Sequence, residues 1–150
     1  MQTSSEKAVK VLNGLIETTL DSANGYREAA ENTDRSDLKT LFAERSAKRE
    51  ALASRLQNEV RTFGGEPEAD PSMMGKAHNK FVDLMNALTG GSDKAVVDEV
   101  ERGEDFMKQK FEKASREDDL PMEVRGLIEK ACQEIRLDHD TVSALKDQLH

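Results

Sequence analysis

The sequence predicts an all-α fold, a four-helix bundle of two antiparallel hairpins joined by a short crossover helix at about residues 73–89. Apolar residues recur at spacings of three and four through five long stretches, which is typical of helices in a bundle. Helix start and stop signals separate the stretches. The composition agrees, because only 4% of residues are aromatic and 35% are charged, whereas strands favour aromatic and β-branched residues.

The first two predicted helices form a hairpin. Residues 3–6 (TSSE) match a capping box, in which the Thr3 hydroxyl accepts a helical N–H while Glu6 reaches back. Residues 32–34 (NTD) interrupt the pattern, and Gly64 with Gly65 favours a left-handed helix end. Because the link is short, the two helices are expected to run antiparallel. Their core stripes are predicted as Val9, Leu12, Ile16, Thr19, Ala23, Tyr26 and Ala30, then Leu38, Leu41, Arg45, Arg49, Leu52, Leu56, Val60 and Phe63.

Three more helices are predicted downstream. Pro71 suits the first position of a helix that Gly90 and Gly91 end, Ser92 caps the next helix, and Pro121 opens the last. Their apolar stripes are Met74, Ala77, Phe81, Leu84 and Leu88; Val96, Val100, Gly103, Met107, Phe111 and Ala114; and Leu127, Ile128, Ala131, Ile135, Asp138, Val142, Leu145 and Leu149.

Helix length decides the expected topology. Four stretches run about 25–30 residues, or roughly 40 Å, whereas the one at 73–89 spans about 25 Å. A connecting helix of this length can carry the chain most of the way back along the bundle. The result is two antiparallel hairpins joined by one crossover, the ferritin-like connection. The alternative is an irregular five-helix domain. The length of 150 residues predicts a single domain, residues 1–150.

Bulk properties exclude several functions. The net charge of −8, with Lys and Arg interleaved among Asp and Glu, argues against nucleic-acid binding. The lone Cys132 excludes an internal disulfide and fits a reducing compartment. No signal peptide and no apolar run of about 20 residues is present, so no membrane association is expected. The sequence predicts a soluble cytoplasmic protein.

The second helix, residues 41–56 (LFAERSAKREALASRL), resembles the matching helix of rubrerythrin, a ferritin-like dimetal protein. The resemblance implies ligand positions, but the Glu-x-x-His pair falls on Arg49 and Leu52, and the first-helix Glu falls on Thr19. Glu104 lies near the single Glu of the fourth helix. His139 resembles the last motif His, although its partner position holds Arg136. Two of six ligands survive, so we expect no working ferroxidase or peroxidase centre.

An organic ion-pair network is expected in place of the metals. Arg45 and Arg49 fall inside an apolar stripe, as do Glu104 and Asp138 on the last two core helices. Arginine pairs bidentately with carboxylates and stays charged when buried. The predicted interior network comprises Tyr26, Arg45, Arg49, Glu104, Arg136, Asp138 and His139. The alternative is that the long arginine side chains reach the bundle edge.

Four further motifs extend the resemblance to nearly the whole chain. They are residues 12–17 (LNGLIE), 63–67 (FGGEP), 87–91 (ALTGG) and 101–105 (ERGED). On these motifs the chain resembles an uncharacterised family of small bacterial ferritin-like proteins. That resemblance implies the four-helix fold and no particular activity.

The expected function is therefore that of a non-catalytic bundle which needs no cofactor and acts by binding or oligomerisation, as a homodimer or with a protein partner. The alternative is a degenerate iron- or manganese-binding protein with a stress-related role. It would use Glu104 and His139, with Glu134 or Asp138, for one ion. Glu17 and Asp21 share a helix face away from the core and are interpreted as solvated.

Overall fold

The computed structural model describes residues 3–68 and 93–149, and every regular element in these ranges is a helix. The four helices are α1 (Ser4–Asn32), α2 (Ser36–Thr62), α3 (Asp93–Ser115) and α4 (Met122–Leu149). The all-helical prediction is confirmed for this part of the chain. The predicted crossover helix at about 73–89 and its flanking signals lie outside the described residues.

The hairpin of α1 and α2 is bounded by the predicted local signals. The N–H of Glu6 donates to the Thr3 hydroxyl oxygen at 3.1 Å, which caps α1. At the end of α2, Gly64 adopts a φ of 79°. The N–H of Gly65 donates to the carbonyl of Val60, and that of Gly64 donates to the carbonyl of Arg61. These two bonds form a Schellman motif, which satisfies the terminal carbonyls of α2.

Neighbouring helices run antiparallel. Helix α1 packs against α2 and α3, and α3 packs against α4. The N–H of Asp34, just after α1, donates to Oδ1 of Asp93 at the start of α3. At the other end, Lys7 forms an ion pair with Glu117. The four helices therefore surround one interior.

The end of α2 and the start of α3 lie at opposite ends of the bundle. Gly65 lies against Val9, near the start of α1, whereas Asp93 contacts Asp34, just beyond its end. The chain between Glu68 and Asp93 thus joins opposite ends of the helices.

Two apolar clusters fill the interior, one toward each end. The first includes Leu12, Ile16, Leu52, Leu56, Met107, Phe111, Ile128 and Ile135. The second includes Tyr26, Ala29, Leu38, Phe42, Val96, Val97, Val100 and Val142. On every helix the two clusters occupy successive stretches, which leaves a central layer between them. Among the described helices, none is long and apolar enough to cross a membrane.

Candidate functional site

The central layer of the bundle contains four charged side chains. Their exposed fractions are 6% for Arg45, 2% for Arg49, 1% for Glu104 and 6% for Asp138. The helical repeat places each of them in the apolar stripe of its helix, so packing of the two clusters carries the charges inward. Such burial is costly unless every charge is paired and hydrogen-bonded.

Arg49 joins the two carboxylates. Its NH1 lies 2.8 Å from Oε1 of Glu104, and its NH2 donates to Oε2 of the same residue at 3.0 Å. NH2 also donates to Oδ2 of Asp138 at 3.0 Å, while NH1 donates to the Ser22 hydroxyl at 2.8 Å. One planar guanidinium therefore holds side chains from three other helices, a geometry that an ammonium group could not reproduce.

Tyr26 completes the layer from α1. Its hydroxyl donates to Oε1 of Glu104 at 2.6 Å and accepts from NH1 of Arg45 at 3.2 Å. The guanidinium carbons of Arg45 and Arg49 each lie 5.5 Å from the centre of the Tyr26 ring. The ring is thus placed for a cation–π interaction with both arginines.

The second oxygen of Asp138 faces two further cations. Nε of Arg45 lies 3.5 Å from Oδ1, and Nζ of Lys48 lies 3.3 Å from the same atom. Lys48 is 55% exposed in its side chain, so it belongs to the rim of the layer rather than its interior. The buried part contains two arginines and two carboxylates, and its formal charge is balanced.

The environment fixes the protonation of two members. Burial raises the pKa of Tyr26 well above its ordinary value, and the neighbouring Glu104 carboxylate raises it further. Burial alone would lower the pKa of Arg49, but Glu104, Tyr26 and Asp138 together outweigh it and the pKa is raised. Tyr26 therefore remains a neutral donor and Arg49 a cation under ordinary conditions.

A dimetal centre does not fit the residues at the implied ligand positions. Thr19 is fully buried, and its hydroxyl donates to the Leu15 carbonyl at 2.6 Å. Leu52 offers no donor atom, and Arg49 brings a positive charge. Glu104 uses both carboxylate oxygens for Tyr26 and Arg49. Within residues 3–68 and 93–149, no three His, Cys, Asp or Glu side chains cluster so that they could hold a metal ion.

The structure brings five of the seven predicted network residues together, namely Tyr26, Arg45, Arg49, Glu104 and Asp138. The other two predicted members, Arg136 and His139, have their contacts outside this network. Arg136 is 51% exposed in its side chain, and its Nε donates to Oε2 of Glu112 at 3.0 Å. Nε2 of His139 lies 2.5 Å from Oδ1 of Asp105.

Helical geometry explains this correction. A residue advances about 100° around an α-helix. His139 follows Asp138 by one residue, and Arg136 precedes it by two, so neither shares the inward direction of Asp138. Sequence reasoning also missed Ser22 and Lys48. Ser22 lies one turn before Tyr26, and Lys48 lies three residues after Arg45, so both were within reach of predicted members.

The fold and the site define an all-helical bundle with a buried ion-pair network. The chain belongs to the family described as "Domain of unknown function (DUF2383)", which matches residues 7–117. A search of curated proteins found no match. The matched region includes α1, α2 and α3 except for the first residues of α1, and it contains Tyr26, Arg45, Arg49 and Glu104. Helix α4, with Asp138, lies beyond it.

Proposed function

We propose that the protein is a non-catalytic, ferritin-like helical bundle that acts by binding a partner or by self-association. The observation that carries this proposal is the Arg49 guanidinium, 2% exposed, held between Glu104 and Asp138. The positively charged Arg49 side chain thus lies between the two carboxylates at the centre of the bundle. We include a reducing, cytoplasmic location in the proposal, since Cys132 is a free thiol.

The order of the helices supports the ferritin-like part. Helices α1 and α2 form one antiparallel hairpin, and α3 and α4 form the other. The described ends of α2 and α3 lie at opposite ends of the bundle, as in bundles whose hairpins are joined by one long crossover. The central layer also lies at mid-length, where such bundles build metal sites from facing helices.

The protonation of the network supports the non-catalytic part. A general acid or base must exchange a proton near the working pH. Tyr26 has a strongly raised pKa, and Arg49 is a permanent cation. Glu104 is bound by both groups and is 1% exposed, so a substrate has little access to it. The arrangement favours a structural role for these residues, with recognition left to the outer faces of the helices.

The alternative, one iron or manganese ion on Glu104 and His139, has less support. Glu104 is engaged by Tyr26 and Arg49, while Nε2 of His139 faces Asp105. Binding at this pair would require both groups to leave their present partners. No contact in the described ranges favours that rearrangement.

Elemental analysis tests the proposal. The protein is expressed in iron- and manganese-supplemented medium, purified without chelator, and assayed for Fe²⁺ oxidation and peroxide reduction. We expect far less than one metal ion per chain and no turnover. Near-stoichiometric metal that is lost in Glu104→Gln or His139→Ala would refute the proposal. The variant Arg136→Ala is the matched control, because it alters a charge outside the central layer.

A further inference from the structure

The connection between α3 and α4, residues 116–121, contains a strained residue. Asp119 has a φ of 63°, and it is the only non-glycine residue with a positive φ in the described parts of the chain. A side chain makes this left-handed conformation costly, although aspartate tolerates it better than most residues. The α3–α4 hairpin is therefore closed only while one loop residue is held in an unfavourable conformation.

The residues on both sides of Asp119 are held in place. Before it, Nζ of Lys7 on α1 donates a hydrogen bond to the carbonyl of Asp118. After it, Leu120 is buried in the first apolar cluster, and the ring of Pro121 restricts its own φ. Because its neighbours are anchored, the strain stays at Asp119 as long as the hairpin is closed. The side chains of Asp118 and Asp119 are exposed, so these two residues can change conformation without disturbing the core.

Helix α4 supplies a carboxylate that the central layer needs. Oδ2 of Asp138 accepts a hydrogen bond from Arg49 at 3.0 Å, and Oδ1 lies 3.5 Å from Nε of Arg45. Without α4, these two arginines would have Glu104 as their one buried carboxylate, which is costly in the interior. The place of α4 therefore requires a helix with an apolar stripe and a carboxylate at this position. The α4 of a second copy meets both requirements, because it is the same helix.

We propose that two copies of this chain exchange α4, with Asp118 and Asp119 as the hinge, so that each Asp138 pairs with Arg49 of the partner subunit. This inference rests on the proposed function, of which it specifies the partner and the element that is shared. The dimer keeps the buried contacts of the monomer and no longer requires a positive φ at Asp119. Exchange of an identical element is a low-cost route to a dimer, and short hinge loops under strain favour it.

Contacts on the two sides of the hinge distinguish this dimer from one built on an outer surface. The exchange places every contact of α4 with the other helices between chains, such as that of Lys146 with Glu101 on α3 at 2.8 Å. It leaves contacts among the first three helices within a chain, such as that of Lys7 on α1 with Glu117 on α3 at 3.4 Å. A dimer of two closed monomers would keep both ion pairs within each chain.

Cross-linking of mixed chains tests the proposal. Isotope-labelled and unlabelled protein are unfolded together in urea and refolded at millimolar concentration, and gel filtration separates dimer from monomer. A carbodiimide then joins each lysine to a carboxylate in contact with it, and mass spectrometry identifies the linked peptides. In the dimer, we expect half of the Lys146–Glu101 links to join a labelled peptide to an unlabelled one, since the chains pair at random. The Lys7–Glu117 links are expected to join peptides of the same label only.

A pair of glycine variants tests the hinge. Asp119→Gly removes the strain of the closed loop, because glycine adopts a positive φ readily. We therefore expect this variant to dimerise about 10-fold more weakly than the unaltered protein. Asp118→Gly is the matched control, since it removes the same charge and adds the same flexibility at a neighbouring residue without a positive φ. Gel filtration over a range of concentrations measures both, with circular dichroism as the check on folding.

The outcomes separate exchange of α4 from other forms of association. A protein that stays monomeric at millimolar concentration would overturn the proposal. A dimer whose Lys146–Glu101 links all join peptides of one label would also overturn it, as would one in which the Lys7–Glu117 links are mixed as well. Equal dimerisation of the two glycine variants would exclude strain at Asp119 as the cause. None of these results would alter the metal content on which the proposed function is tested.

Discussion

Arg49 on α2 and Glu104 on α3 meet across the bundle centre, through contacts of 2.8 and 3.0 Å between their nitrogen and oxygen atoms. Both helices pack against α1. Arg49 also donates a hydrogen bond to Asp138 on α4. Because each partner is at least nine-tenths buried, the loss of any one leaves a charge without compensation in the interior.

We predict that Arg49→Met destabilises the bundle by about 3–5 kcal/mol, because Glu104 and Asp138 lose their shared cation. Urea unfolding followed by circular dichroism measures the loss. The triple variant that adds Glu104→Gln and Asp138→Asn is expected to recover part of it, since the carboxylates are then neutral. Arg136→Met is the matched control, and its exposed pair with Glu112 contributes about 0–1 kcal/mol. Equal losses for the two arginine variants would contradict a buried network.

The ionisation of Tyr26 is predicted to limit stability at high pH. Tyr26 is the only tyrosine and the chain has no tryptophan, so phenolate absorbance reports this residue alone. Burial, followed by Glu104, raises its pKa. Below a pH of about 10 the folded and unfolded states both retain the proton, whereas above it only the folded state does, so stability falls as pH rises.

Absorbance titration should therefore show no phenolate until the helices unfold, with the two signals changing together. Tyr26→Phe should make the free energy of unfolding less dependent on pH above about 10. The same substitution is expected to cost about 1–3 kcal/mol at neutral pH, because Glu104 loses a buried donor. Phenolate formation in a fully helical protein near pH 10 would refute the burial of this hydroxyl.

Gly65, just after the end of α2, lies so close to Val9 on α1 that a larger residue there should clash. A Cβ on Gly65 would lie 2.6 Å from Cγ1 and 2.7 Å from Cγ2 of Val9, which is a stiff, β-branched side chain. Gly65→Ala is therefore expected to destabilise the bundle by about 1–3 kcal/mol, measured by urea unfolding. Gly126→Ala is the control, since that position in α4 is open, and it should stabilise by roughly 0.5–1 kcal/mol. If the two variants change stability in the same direction, the contact between Gly65 and Val9 is wrong.

Rebuilding metal ligands tests the resemblance to dimetal proteins. A variant with Thr19→Glu, Arg49→Glu and Leu52→His adds two carboxylates and one imidazole at three of the implied ligand positions. Without metal it should be less stable than the parent, because the new carboxylates are buried and unpaired. Excess Mn²⁺ should raise its Tm and leave the Tm of the parent unchanged, since a ligand at 100 times its Kd stabilises by about 2.7 kcal/mol. A folded variant that gains nothing from Mn²⁺ would show that the implied ligand positions are misplaced.

The helical periodicity of the sequence predicts many of the buried side chains, because residues spaced three and four apart lie on one face of a helix. The stripe that contains Leu38, Leu52 and Leu56 also contains Arg45 and Arg49, and all five are buried. The error came where a spacing motif was used in place of periodicity. Arg136 and His139 were included because of a Glu-x-x-His resemblance, although Asp138 already defines the inward direction of α4.

The hydrogen-bond partners of the buried polar side chains were harder to predict than the direction in which those side chains point. Periodicity turns Glu104 inward, but it does not say that both of its oxygens are bound by residues from two other helices. Those partners lie 78 and 55 positions away in the chain, and the contacts depend on how far each helix slides along its neighbour. Sequence patterns alone do not determine this offset to within the length of a hydrogen bond.

The separation between Arg49 and Asp138, 89 positions, has a consequence for how the newly made chain folds. Translation produces the first three helices before α4. Until α4 docks, the two interior arginines have one buried carboxylate between them, so a closed intermediate of three helices would trap an uncompensated cation. We therefore expect the first three helices to stay open until α4 docks and supplies Asp138. Deleting α4 should consequently leave a chain that collects in chaperone complexes or aggregates rather than a smaller stable domain.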